Sequence, residues 1–127
     1  MSIGTKLHDY LLGVAAVSAI IGTKIFPVHA IKVAAPYVTF RKIAPGREYS
    51  HDSDADGDHP TYEVSAYAST FAVARDLADK LILALEAWPD EAGDISALFL
   101  RDEEEIFNYN VELYQVLFSC EIWPQEV

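Results

Sequence analysis

Between Val111 and Trp123 the chain alternates, with Tyr114, Val116, Phe118, Cys120 and Ile122 on one face. A run of period two is a strand with one face buried. A strand this long needs pairing neighbours on its edges and an apolar cover on its buried face. The neighbours can be read directly. Lys24-Ile25-Phe26 is a short extended piece ended by Pro27, and Tyr37 to Ile43 is a β-branched and aromatic run closed by Pro45-Gly46. Thr61 to Ala68 sets Tyr62, Val64, Ala66 and Ala68 against Glu63, Ser65 and Tyr67. Ile95 to Leu100 reads as a further strand, and Asp102 to Glu105 as a solvated acidic turn behind it.

Two helical stripes supply the cover. Ile3, Leu7, Tyr10, Val14, Val17 and Ile21 recur at three- and four-residue steps, which predicts one helix from Ile3 to Ile21 with Gly22 as its stop. The stretch Leu11 to Ile21 is too short to span a bilayer, and only Lys6 precedes it as a cation, so it is not read as a signal peptide. Ser69 or Thr70 can cap a second helix, whose buried stripe is Phe71, Ala74, Leu77, Ala78, Leu81 and Leu85 and which ends near Trp88-Pro89 and Gly93. The order is α-β-β-β-α-β-β. It predicts an α+β fold, a mostly antiparallel β-sheet with two helices packed on one face. At 127 residues the chain forms a single domain, residues 1–127, with a flexible acidic loop at about 45–60.

Twenty acids stand against nine bases, a formal charge of −11, which argues against a surface built to grip nucleic acid. Cys120 is the only cysteine, so neither an intrachain disulfide nor a cysteine-rich zinc site is available, and its place in the final strand predicts a buried, inert thiol. No nucleophile elbow, phosphate loop or Cys/His pair at useful spacing occurs, and the chain is not expected to be an enzyme.

Two clusters remain as candidate sites. Residues 52–63 match the calcium-loop pattern D-x-D-x-D-G-x5-E, with Asp52, Asp54, Asp56 and Glu63 as ligand candidates, since alternate carboxylates converge on a hard cation. Such a loop normally joins two helices, whereas this one leads into a strand. The plain reading is a solvated acidic loop, and Ca2+ is the one cofactor worth testing. The alternative function is thus a small calcium- or ligand-binding α+β module using the acidic loop 52–63. His51 and His59 share that loop, but no ordered His-x3-His pair accompanies them. Arg41, Lys42 and Arg47 form the second cluster, a basic rim that could meet an acidic surface of a neighbouring copy.

Several strings resemble the tail-completion, or tail-terminator, proteins of long-tailed bacteriophages, a family of head-tail joining proteins. Ile21-Gly22-Thr23-Lys24-Ile25-Phe26-Pro27 looks like the family's G-T-R-I-Y-P entry into the sheet, with Lys for Arg and Phe for Tyr. Ala35-Pro36-Tyr37-Val38-Thr39-Phe40 looks like its P-Y-V-x-[FY] strand. Tyr67-Ala68-Ser69-Thr70 running into the Ala-rich helix, and Tyr114 to Trp123 at the end, fit its later elements. The long acidic loop departs from the pattern. The resemblance implies a structural virion protein of the tail or neck, assembled in the host cytoplasm. Such a protein caps the tail tube as a ring, usually a hexamer in the family, and joins the tail to the head. Its implied partners are further copies of itself, the tail tube protein and the head-completion or connector proteins, with no membrane. DNA would pass through without specific binding; six copies would carry six times −11, a formal −66. The family brings no catalytic residues.

Overall fold

The computed structural model describes residues 3–28, 30, 32–44, 59–92 and 95–124. The first apolar stripe does not make one helix. It makes α1, Ile3–Leu12, and α2, Ala15–Ile21, because Gly13 and Val14 close the first with 3.1 Å bonds to the carbonyls of Tyr10 and Leu11. Val14 then turns extended and receives the first α2 bond, from Ser18 N–H at 3.0 Å. Leu7, Leu11, Val17 and Ile21 all stay buried across the bend. Gly22 ends α2 as expected, at φ 63°, a conformation that costs a glycine nothing.

The sheet has five strands: β1, Ile25–Pro27; β2, Tyr37–Ala44; β3, Thr61–Ala68; β4, Ile95–Asn108; and β5, Leu113–Pro124. Their order is β1-β2-β3-β5-β4. Among the described residues only β1 and β2 pair in parallel, Ile25 opposite Val38; the rest are antiparallel, with Val64 opposite Phe118 and Leu100 opposite Cys120. Between β3 and β4 runs α3, Phe71–Ala92. Thr70 caps it, its hydroxyl accepting from Val73 N–H at 3.3 Å. The helix ends at Ala92, within the expected range of Trp88 to Gly93, and carries Pro89 in its last turn.

Helices cover one face of the sheet. That face carries Val38 and Phe40, Val64 and Ala66, and Val116, Phe118, Cys120 and Ile122, all buried with Leu77, Leu81, Leu85 and Trp88 of α3. Each large side chain taken from water contributes about 1.5–3 kcal/mol. Phe71, expected in this core, is 45% exposed instead.

The acidic run Asp102–Glu105 is not a turn. It lies inside β4, whose register slips by one residue between Arg101 and Glu104, with Asp102 at φ 54°. The slip turns Glu103 and Glu105 toward α3. There the Arg75 guanidinium donates to Glu103 at 2.8 Å, Glu105 at 2.9 Å and Asp79 at 2.8 Å. Partial burial of Arg75 works to lower its pKa, but the bonds to Glu105, Glu103 and Asp79 outweigh this and hold the group firmly charged. Arg75→Ala is expected to cost about 1–2 kcal/mol, more than an isolated exposed pair because three carboxylates lose one shared cation. Hydrogen exchange should show β4 opening more readily than β3; unchanged protection of β4 would exclude the clamp.

Candidate assembly surfaces

Side chains alternate along a strand, so every core residue leaves its neighbour on the opposite, open face. On that face Arg41, Glu63, Ser119 and Arg101 align across four strands. Arg41 Nε donates to Glu63 Oε1 at 3.2 Å, and Arg101 Nη2 lies 3.7 Å from Glu121 Oε1. One step along, Asn108 Nδ2 donates to Gln115 Oε1 and Gln115 Nε2 donates to Ser65 Oγ, each at 3.0 Å. Tyr67 hydrogen-bonds to Thr39 and Ser65 and stacks on Tyr37 with centroids 4.8 Å apart. Burial raises the phenol pKa of both tyrosines, and their mutual proximity adds to the rise at Tyr37. Thr39, Ser65, Gln115 and Ser119 are buried here, and their polar groups are largely satisfied by one another and by their neighbours.

The β4–β5 hairpin ends in an aromatic tip. Phe107 packs edge-on against Tyr109 at 5.0 Å and Tyr114 at 5.1 Å, and Phe71 against Tyr114 at 6.2 Å. Tyr109 is 83% exposed, with Val111 and Ile106 also presented to solvent. A cluster of exposed aromatic and aliphatic side chains is the composition of a contact surface. Phe107, Tyr109 and Tyr114 flanking an Asn-rich turn were the sequence signal for it, and their partial burial reading as strand residues concealed it.

Arg41 lies against Glu63, and Arg41 and Lys42 both line a groove of about 460 Å3 with Thr5, His8, Val28 and Tyr62. Arg47 lies outside the described residues, as do Asp52, Asp54 and Asp56. Glu63, the last of the calcium-loop candidates, sits in β3 with its carboxylate on Arg41. At the end of the loop, His59 stacks on Trp123 at 4.0 Å. Among the described residues no three His, Cys, Asp or Glu side chains gather to hold a metal ion. No described helix is long and apolar enough to cross a membrane. Cys120 is buried and its thiol is pushed up to about 12, with only a backbone hydrogen bond to Tyr62 opposing the rise. A thiol so held stays protonated near neutrality and is a poor nucleophile.

No curated protein matches the sequence. Among solved structures, a chain of the virion of a native gene transfer agent particle superposes with a TM-score of 0.62 at 16% identity, covering 91% of this chain and 90% of that one. The likeness is one of fold. The family model described as tail completion protein gp17 matches residues 5–125. That match takes in nearly all of the sheet and its helical cover, and the chain belongs to this tail completion family.

Proposed function

We propose that this phage-tail structural protein closes the tail tube as a ring, a hexamer in the form the family resemblance suggests, and makes the joint to the head. The family match over residues 5–125 carries the reading. The surface is consistent with it. An open sheet face, an aromatic hairpin tip and two unlike sheet edges are what a protein that acts by contact, rather than by turnover, has to offer. The acidic surplus keeps such a ring from adhering to passing DNA.

The partners are further copies of the chain, the tail tube protein and the head-completion or connector proteins, and the place of action is the virion neck. Arg41, Lys42 and Arg47 remain candidates for contact with a neighbour. Sedimentation velocity and negative-stain microscopy, alone and with purified tail tubes, test the reading. Rings with a central hole, free or seated on tube ends, are expected. A chain that stays monomeric and leaves tube ends bare would overturn it.

A further inference from the structure

The charge of −11 is not spread evenly over the fold. Residues 1–44 carry five cations, Lys6, Lys24, Lys32, Arg41 and Lys42, against the single acid Asp9, a net +4. Residues 59–124 carry three cations, Arg75, Lys80 and Arg101, against thirteen acids, a net −10. The strand order β1-β2-β3-β5-β4 sets β1 and β2, with Lys24, Arg41 and Lys42, at one end of the sheet and β4, with Asp102 to Glu105, at the other, while other acids lie on α3 and on β3 and β5 between them. One end is β1 with β2, and the other is β4 with the outer turn of its hairpin.

Both ends are edges with unpaired backbone groups, and both hold charges that the fold leaves uncompensated. Lys24 Nζ donates to the Ala34 carbonyl at 2.9 Å and meets no acid among the described residues. Lys32, exposed at φ 53°, meets none either. At the far end Arg75 balances Glu103 and Glu105, while Glu104, turned to the open face by the register slip, and Glu112, beside the aromatic tip, have no cation partner among the described residues. Unlike ends on one chain cannot meet within it, but they can meet between copies.

We propose that protomers associate head to tail, the lysine-bearing β1 end of one copy against the acidic β4 end of the next. The inference rests on the ring reading and names the two surfaces that would make it. A contact between different patches is heterologous, which is the kind that closes into a ring. Opposite charge at the two ends favours this register and opposes the two like-to-like arrangements, Lys to Lys and Glu to Glu. Exposed pairs of this kind act over about 8–10 Å and are screened by salt, so assembly should weaken as ionic strength rises.

The test is charge reversal in the full chain, read by sedimentation and negative-stain microscopy with and without tail tubes. Lys24→Glu with Lys32→Glu should raise the concentration needed for rings about tenfold or more. Adding Glu104→Lys and Glu112→Lys to the same chain should restore it, because both ends are then reversed together. Melting temperatures check that each variant folds; if the lysine reversals do not, Lys24→Gln with Lys32→Gln carries the same test, with weaker assembly and a flatter salt dependence expected. Reversals that leave ring formation at its original concentration, or a loss that the fourfold variant does not repair, would overturn the head-to-tail pairing while leaving the ring intact. An unmodified chain that forms no ring even on tubes overturns the ring reading, and the pairing with it.

Discussion

Trp88→Ala is expected to lower the stability of the chain by about 3–5 kcal/mol, the usual cost of emptying a site of that size. Trp88 is fully buried near the end of α3, and its indole stacks on Tyr10 of α1 with centroids 5.1 Å apart and planes 13° from parallel. Tyr10 in turn donates its hydroxyl to the Ala84 carbonyl at 2.7 Å. One ring therefore fastens the first helix to the long one. Domains of this size hold about 5–15 kcal/mol in total, so the variant should be marginal. Trp88→Phe should cost less, about 2 kcal/mol or below, since it keeps an aromatic face and removes an indole N–H that finds no partner among the described residues. Equilibrium unfolding in urea measures both. A loss under 1 kcal/mol for the alanine variant would mean that the seam between α1 and α3 is not closed by this contact.

The second large effect is alkaline instability centred on Cys120. Burial holds this thiol protonated to about 12 in the folded chain, whereas the ordinary value is 9.0. Below pH 9 both folded and unfolded forms keep the proton, and the thiol contributes no pH dependence. Between 9 and 12 the unfolded form binds fewer protons, so stability falls as pH rises, by about 1.4 kcal/mol for each pH unit and about 4 kcal/mol across the window. Tyr37, Tyr62 and Tyr67, each raised from 10.0 chiefly by burial, push in the same direction above pH 10. Cys120→Ala should flatten the slope between pH 9 and 10 while lowering stability at neutrality through the lost packing. Urea midpoints from pH 7.5 to 10.5 decide this; an alanine variant with the parent's slope in that interval would show that the thiol is not the titrating group.

Much of this fold could be read before any coordinates. The alternation of Val116, Phe118, Cys120 and Ile122, the stripe Leu77, Leu81 and Leu85, the cap at Thr70 and the stop at Gly22 are local patterns, and each appears where it was expected. The misreadings depend on groups distant in sequence. Asp102 to Glu105 looks like a turn because four acids in a row repel one another, and only a guanidinium twenty-eight residues earlier makes part of that run a strand facing a helix. Phe71 looks like core because it falls on the helical stripe, yet its partner is Tyr114 at the tip of another element. The family could be recognised from short strings around Gly22, Pro36 and Trp123. The surfaces could not, because contact between copies depends on which charges the fold has already neutralised.

The slipped residue between Arg101 and Glu104 has a wider consequence. Before it, even-numbered positions of β4, Leu98 and Leu100, lie with the helices; after it, odd-numbered ones do, Glu103, Glu105 and Phe107. The strand thus changes parity partway along. Drawn out into an unbroken alternation, the same residues would exchange the two faces of everything downstream, presenting Glu104 and Ile106 to α3 and sending Phe107 to the opposite face; deleting the extra residue would instead leave those faces as they are. One position acts as a frame marker, deciding which half of the hairpin's chemistry is spent inside the molecule and which half is left for its neighbours.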